Sequence, residues 1–336
     1  MTILDAPADQ VERDFAARLG HSVHLLGRRL AGEGLSDETG LLTFDSGGEE
    51  LTLVVRLFRP GAVARHEVAP ERLHRLLTVL AGAELPVPRP LWFEASPELF
   101  GGPYSVVSRM PGTAVVPWSP EGRRFLAEAG KGPIGEQFCR VLAEIHGLDW
   151  QADGLGFLGD LGRTFAVRRV DELADYLSRV RGGPEPVLAD GLCWLRAHIP
   201  DHADVSLVHG DYRTGNMLFA GDAITAVLDW EFAALGDPLS DVGWVCCPSN
   251  RMGSDRVCML LPQESFLRRY ERCRGQEVDR AALRFWIVYH QVRHAVMWLE
   301  AGRNFELEFT DDLRLARMHS AMPTMRRMVA DLLVAS

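Results

Sequence analysis

The chain has 336 residues, of which 47% are hydrophobic, so it can bury the cores of two lobes. Its formal net charge of −10 argues against broad nucleic-acid binding, and no apolar run approaches the length of a membrane span. The charged N-terminal segment is unlike a signal peptide, and the six cysteines form no Cys-x-x-Cys pair, so we expect a cytoplasmic protein without a zinc site.

Helix and strand patterns are mixed in the first third of the chain. Val11, Phe15 and Leu19 are spaced to share one helical face. The predicted elements are a helix over 1–26, loop and strand over 30–43, a strand over 50–58, a helix from Pro70 and a strand over 104–110. These elements predict a small antiparallel sheet with helices, and we expect this N-terminal lobe to span 1–111.

The rest of the chain, 112–336, is predicted to form a mostly helical C-terminal lobe. Two histidines, His290 and His294, lie four residues apart on one of its long helices, but Gln291 stands where a zinc peptidase would need Glu. We expect this pair to line a substrate cleft or to pack in the core. The predicted helices cover 134–146, 171–181, 187–198, 239–245, 263–274, 280–300 and 312–333.

A hairpin pattern lies within this lobe. Strands are predicted over 217–219 and 224–228, with a tight turn between them. Asp211 and Asn216 precede the first strand, and Asp229 follows the second. Because the hairpin folds back on itself, we expect Asp229 to return close to Asn216.

Two carboxylates and one carboxamide in a small space suit phosphoryl transfer. Mg²⁺ takes oxygen ligands from one or two protein groups and from substrate phosphates, so Asn216 and Asp229 are candidate metal ligands. Asp211 is the candidate base in an Asp-x-x-x-x-Asn arrangement, and Arg213 could screen charge on the transferring phosphate. The alternative is a surface hairpin with ordinary Asp and Asn turn residues.

These segments resemble the aminoglycoside phosphotransferase family, also called the phosphotransferase enzyme family, whose fold is similar to that of protein kinases. The family's His-Gly-Asp-x-x-x-x-Asn is matched at 209–216, its Asp-Trp/Phe-Glu at 229–231 and its Gly-Asp-Pro-x-x-Asp at 236–241. The phrase Leu-Asp-Trp-Glu-x-Ala-x-x-Gly-Asp-Pro further resembles the branch related to kinase domains associated with acyl-CoA dehydrogenases. The resemblance is strong over 205–245 and weaker over 30–150.

The resemblance implies a two-lobed α+β kinase-like fold that binds ATP and Mg²⁺ between its lobes. Ser36 falls in the loop that would cover the phosphates. The strand that normally carries a phosphate-binding lysine has Arg56 instead, with Arg59 as a second candidate, and Arg differs from Lys in size and geometry. Glu71 is favoured as the partner of that basic residue, the alternative being a charge that only faces solvent, and Glu67 precedes the helix.

The resemblance also assigns a hinge and a structural support. Ser108 to Met110 end a predicted strand and are candidates to bind adenine through their backbone. Asp241 is expected to hold the backbone of the loop 209–216, which matches the family's catalytic loop and is called the catalytic loop below, and to take no part in the chemistry.

The expected function is therefore an ATP-dependent transfer of the γ-phosphate to a hydroxyl of a small molecule. A catalytically silent, nucleotide-binding regulatory module is the alternative, and the missing strand lysine is its support. Transfer of a different part of the nucleotide is a third possibility. Aminoglycosides, amino alcohols and hydroxyacyl thioesters all remain open as acceptors, since a fold does not fix a substrate.

Overall fold

The computed structural model describes residues 2–31, 37–58, 68–159, 165–201, 204–309 and 312–334. The chain divides into two compact units. The first contains Met1–Thr113 with Leu218–Ala220 and Thr225–Phe232, and the second contains Ala114–Met217, Gly221–Ile224 and Ala233–Ser336. Across the described ranges, no helix combines the length and the apolar character that crossing a bilayer requires.

The first unit is built on a five-stranded antiparallel sheet with strand order β1-β2-β3-β5-β4. In β3 every second side chain is buried, at Leu53, Val55 and Leu57, and the residues between them are half-buried. The elements are β1 (His24–Leu30), β2 (Glu38–Ser46), β3 (Glu49–Leu57), β4 (Pro90–Glu94), β5 (Tyr104–Ser108), α1 (Ala8–Leu19) and α2 (Pro70–Gly82).

Helix α1 packs its apolar face on this sheet, where the ring of Phe15 stacks on Phe44 at a centroid distance of 5.0 Å. The prediction of a helix over 1–26 was wrong at both ends. The helix stops at Gly20, which takes a left-handed conformation (φ 79°) that glycine adopts at little cost. The chain then enters strand β1, an outcome that the helical spacing of three apolar residues could not exclude.

The second unit is mostly helical, and its helices surround the long helix α10. This helix has buried side chains around much of its circumference, which is typical of a helix at the centre of a domain. The helices are α3 (Pro120–Ala129), α4 (Pro133–His146), α5 (Phe165–Val180), α6 (Pro186–Ala197), α7 (Leu239–Cys246), α8 (Pro248–Arg251), α9 (Gln263–Arg274), α10 (Arg280–Glu306), α11 (Leu313–Ser320) and α12 (Met322–Val334).

Helix α7 lies against α10 at close range because Gly243 has no side chain. A Cβ atom at this position would come within 2.5 Å of the Trp286 Cβ. Any larger residue would therefore push the two helices apart, so this glycine fixes how closely α7 approaches α10.

The remaining strands are short, and they frame the motifs found in the sequence. β7 pairs antiparallel with β10, and the catalytic loop begins directly after β7. β8 and β9 are neighbours in a three-stranded sheet, so the hairpin predicted after that loop is present. The strands are β6 (Thr113–Ala114), β7 (Ser206–Val208), β8 (Met217–Ala220), β9 (Ala223–Val227), β10 (Ala234–Gly236), β11 (Arg256–Val257) and β12 (Leu261–Pro262).

Candidate active site

The backbone of the catalytic loop is held by the carboxylate of Asp241, which is fully buried on α7. This carboxylate accepts hydrogen bonds from the backbone N–H groups of His209 (2.6 Å) and Gly210 (2.8 Å) and from Nε2 of His146 (3.1 Å). Burial alone would raise the pKa of Asp241, but these donors outweigh it and lower that pKa. Asp241 therefore supports the loop backbone, as the sequence predicted.

The carboxylate of Asp211 is surrounded by three N–H donors in the second unit. Its Oδ1 accepts from Nε1 of Trp244 at 2.8 Å, and its Oδ2 accepts from Nδ2 of Asn216 at 2.6 Å. Nε of Arg213 lies 3.1 Å and 3.2 Å from the two oxygens. The Asp211 side chain is 17% exposed, so it is oriented by the protein but still accessible. We call these four residues the aspartate centre.

A short 3-10 turn, Thr214–Asn216, presents Asn216 to Asp211. The turn is anchored because the Thr214 hydroxyl donates to the carbonyl oxygen of Cys258 at 3.0 Å. Nδ2 of Asn216 also donates to the backbone carbonyl of Asp211 at 3.0 Å. The amide nitrogen of Asn216 is thus committed to Asp211, and its carboxamide oxygen is the atom that can coordinate a metal.

In the first unit, the guanidinium of Arg56 on β3 is surrounded by three carboxylates. Its Nε donates to Asp37 Oδ2 at 2.9 Å, its Nη2 donates to Glu231, and its Nη1 lies 3.8 Å from Asp229 Oδ1. Burial would lower the pKa of Arg56, but these carboxylates raise it, so the group stays charged. We call these four residues the arginine centre.

Asp229 and Glu231 are held differently within the arginine centre. Glu231 is buried, and its carbonyl oxygen accepts from the backbone N–H of Val68 at 3.2 Å. Asp229 has a left-handed backbone (φ 59°), which Asp tolerates better than most residues, and its side chain is 52% exposed. Asp229 is therefore the carboxylate of this group with the greatest access to a ligand in solution.

The other predicted nucleotide contacts are placed as follows. Ser36 lies outside the described residues, as do Arg59 and Glu67. Glu71 is exposed in the first turn of α2. Ser108 ends β5, and its hydroxyl accepts from the backbone N–H of Arg89 at 2.9 Å; Met110 follows two residues later. Contacts between these residues and a nucleotide stay predictions.

Three residues of the two centres were not predicted from the sequence. Trp244 has the size that is typical of a core residue, and the negative charge of Asp37 would oppose a phosphate. Glu231 was recognised as part of the Asp-Trp-Glu motif but was given no role. For Glu231, the motif itself was the available signal; for Trp244, the signal was its position three residues after Asp241 on a helix.

The carboxamide oxygen of Asn216 and the carboxylate of Asp229 are each, taken separately, of the donor type that a hard divalent cation such as Mg²⁺ takes. Among the described residues, no group of three or more His, Cys, Asp or Glu side chains is arranged to hold a metal by itself. A magnesium ion would thus need further ligands from phosphate groups and water, which is the usual situation for Mg²⁺ in phosphoryl-transfer sites.

The chain belongs to the phosphotransferase enzyme family, whose model matches residues 28–286. It is 31% identical over 217 residues to acyl-CoA dehydrogenase family member 10 of Mus musculus and 26% identical over 236 residues to family member 11 of Homo sapiens. These matches cover 61% and 67% of this chain, but only 20% and 30% of the two relatives. The suspected branch of the family is thereby confirmed.

Solved structures confirm the predicted kinase-like α+β fold. One, from Ralstonia eutropha JMP134 and provisionally assigned as an aminoglycoside phosphotransferase, has a TM-score of 0.77, 22% identity and coverage of 97% of this chain and 98% of that one. Another is a thermostable mutant of aminoglycoside phosphotransferase APH(4)-Ia in a ternary complex with ADP and hygromycin B. It has a TM-score of 0.60, 21% identity and coverage of 95% and 98%.

Proposed function

We propose that this protein transfers the γ-phosphate of ATP to a hydroxyl group of a small molecule. The single observation that carries the proposal is the aspartate centre, in which an accessible carboxylate is oriented by three N–H donors on a loop whose backbone is itself fixed. Membership of the phosphotransferase enzyme family supports it. So does the structural neighbour that binds ADP together with a small molecule, hygromycin B.

In the proposed reaction, the acceptor hydroxyl oxygen forms a bond to the γ-phosphorus while the bond from that phosphorus to the β–γ bridging oxygen breaks. ADP leaves, and Asp211 takes the proton of the hydroxyl group. Arg213 holds Asp211 through Nε and carries a positive charge beside it, which offsets the negative charge that phosphate brings to this region.

Asn216 and Asp229 are proposed to ligate magnesium through oxygen atoms. The ion, when bound, would neutralise charge on the nucleotide phosphates. Arg56 would keep Asp37, Asp229 and Glu231 grouped when no cation is present, since it contacts all three. This role differs from that of the strand lysine of the family, and it accounts for an arginine at this position without requiring it to bind phosphate.

Two substitutions test these roles. Asp211→Ala should lower turnover with Mg-ATP by more than about 1,000-fold and leave the calorimetric affinity for Mg-ATP nearly unchanged, because it removes a group needed only for chemistry. Asp229→Ala should weaken Mg-ATP binding by about tenfold or more, because it removes a charged ligand. ADP release is measured with water and with a panel of alcohols as acceptors, and product mass identifies the group transferred.

Asp222→Ala is the matched control, since Asp222 is an exposed residue in the turn of the same hairpin. It should change neither binding nor turnover. Full activity in the Asp211→Ala protein would refute the proposal. A wild-type protein that binds Mg-ATP but releases no ADP with any acceptor would instead favour the silent regulatory module.

A further inference from the structure

Helix α7 presents two side chains to the catalytic loop, and only one of them has been given a role so far. Asp241 and Trp244 are three residues apart, so they lie on the same face of the helix. Asp241 holds the loop backbone, whereas Nε1 of Trp244 donates to Oδ1 of Asp211 at 2.8 Å. One helix thereby contacts both the backbone of the loop and its candidate base.

The indole ring of Trp244 is itself fixed by its neighbours. It is 5% exposed, and the rings of His290 and His294 on α10 each lie at a centroid distance of 5.4 Å. Both histidines are held in turn, because His290 Nε2 lies 3.1 Å from the Ser240 hydroxyl and His294 Nδ1 lies 2.6 Å from the Ser249 hydroxyl. The position of the indole N–H is therefore set by packing that does not depend on Asp211.

The N–H donors around Asp211 limit how many further hydrogen bonds its carboxylate can accept. A carboxylate offers about four lone-pair sites, and here three N–H groups use them, from Trp244, Arg213 and Asn216. The Arg213 contact is shared between both oxygens, so the hydroxyl group of an acceptor can replace it at one of them. The indole N–H can only donate, so its bond has a fixed direction, whereas the longer and shared contact from Arg213 is more easily lost.

We propose that Trp244 is a positioning residue that holds the carboxylate of Asp211 in one orientation, with Oδ1 on the indole. This inference assigns a use to the paired histidines on α10, which hold the tryptophan ring in place. Its meaning for catalysis rests on the function proposed above, but the contact itself can be measured without any assay of activity.

Kinetics of Trp244→Phe test the catalytic part, because phenylalanine keeps an aromatic ring between the histidines and removes only the N–H donor. Loss of one hydrogen bond to a charged group should lower kcat for ATP hydrolysis, with water as acceptor, by about 10- to 100-fold. The KM for Mg-ATP should stay within about twofold, because the indole is proposed to act on the base alone.

Trp194→Phe is the matched control, since Trp194 also stacks on a histidine ring, that of His198, at a centroid distance of 4.0 Å. It should leave both constants unchanged. A Trp244→Phe protein with wild-type kcat would overturn the proposal. So would parallel losses in Trp244→Phe and Trp194→Phe, because they would indicate a general effect of core substitution.

The contact is tested independently by NMR of the indole N–H groups in protein labelled with ¹⁵N-tryptophan. The Trp244 signal is assigned by its absence in Trp244→Phe. In Asp211→Ala this signal should move and exchange faster with solvent, whereas the signal of Trp286, which donates to Asp237 at 2.6 Å, should not. An unmoved Trp244 signal would overturn the inference. If the wild-type protein proves inactive with ATP, the function proposed above fails, and this measurement still decides whether Trp244 holds Asp211.

Discussion

In the first unit one guanidinium, that of Arg56, is surrounded by three carboxylates, whereas in the second unit one carboxylate, that of Asp211, is surrounded by three N–H donors. Among its four residues, the arginine centre offers three carboxylates to one guanidinium. In the aspartate centre, Arg213 balances Asp211, and the remaining two donors are neutral. The two centres therefore differ in what they can attract.

Grouped carboxylate oxygens are the ligands that a hard cation prefers, whereas a single carboxylate whose oxygens already accept from N–H donors is less suited to bind one. This difference supports separate roles for the two aspartates of the motifs. Asp229 has the longest contact of the arginine centre, 3.8 Å, and a half-exposed side chain, so a metal ion can compete for it. Asp211 has shorter contacts and is better suited to take a proton from a hydroxyl group whose position is fixed.

The largest expected effect on stability comes from removing the guanidinium of Arg56. Arg56→Met should lower the free energy of unfolding by about 2–4 kcal/mol, because Asp37 and Glu231 are buried and lose the guanidinium that they share. Urea denaturation at pH 7 measures the change. The same variant should bind Mg²⁺ and nucleotide differently from wild type, which calorimetry would detect.

Arg18→Met is the control, since Arg18 also contacts two carboxylates, those of Asp14 and Glu94, but near the surface. It should cost less than about 1 kcal/mol, as is usual for exposed ion pairs. Equal losses in the two variants would remove the distinction between a buried arginine centre and an ordinary surface pair.

The aspartate centre was largely predictable from the sequence because most of it is local. Asp211, Arg213 and Asn216 lie within six consecutive residues, and the hairpin after them has a clear turn signal. The family motif added the role of Asp241. Trp244, however, is 33 residues from Asp211, and its contact depends on how α7 packs, which no local pattern encodes.

The arginine centre was much less predictable. The sequence identified Arg56 on its strand but favoured Glu71 as its partner, by analogy with kinases. The described partners come from elsewhere: Asp37 is brought opposite by the pairing of β2 with β3, and Glu231 lies 175 residues away. Partners at such separations are fixed by strand register and tertiary packing, so composition and spacing could only suggest them.

A third carboxylate, that of Asp237, also accepts from an indole N–H, but no arginine within the described ranges contacts it as Arg213 contacts Asp211. Asp237 accepts from Trp286 Nε1 at 2.6 Å and from the backbone N–H of Leu239 at 2.9 Å. Burial nevertheless raises its pKa to about 6. An unfolded Asp has a pKa of about 3.9, so the folded state binds this proton more tightly.

Because the pKa of Asp237 is higher in the folded state than in the unfolded state, its protonation stabilises the fold at low pH. The stabilising contribution of the Asp237 proton is complete below pH ~4 and is lost as the pH rises through ~6, a total of about 2–3 kcal/mol. Asp237→Asn imitates the protonated acid and should remove this dependence. The free energies of unfolding of wild type and variant are measured between pH 4 and 6.5. As the pH rises, the value for wild type should fall relative to that for Asp237→Asn.

Asp190→Asn, at an exposed position on α6, should leave the wild-type pH dependence unchanged. If Asp237→Asn retained it as well, the indole and backbone donors would be keeping Asp237 ionised without help.

The smallest expected effect tests the contact between Arg213 and Asp211. A Cβ atom at Gly215 would lie 2.4 Å from Nη1 of Arg213, and the flexible guanidinium would have to move. Gly215→Ala should therefore change stability by less than about 1 kcal/mol but lower turnover by about 3- to 10-fold, as Arg213 loses its hold on the base. Gly183→Ala, where a Cβ meets no atom within 4 Å, should change neither quantity.

A double-mutant cycle identifies the cause of any loss in Gly215→Ala. In an Arg213→Ala background the clash is gone, so adding Gly215→Ala should lower turnover no further, and the coupling between the two substitutions should nearly equal the effect of Gly215→Ala alone. Additive losses would instead mean that the alanine distorts the turn that presents Asn216. In that case Gly215→Ala would report on the placement of Asn216, and the contribution of Arg213 to turnover would be measured by Arg213→Ala alone.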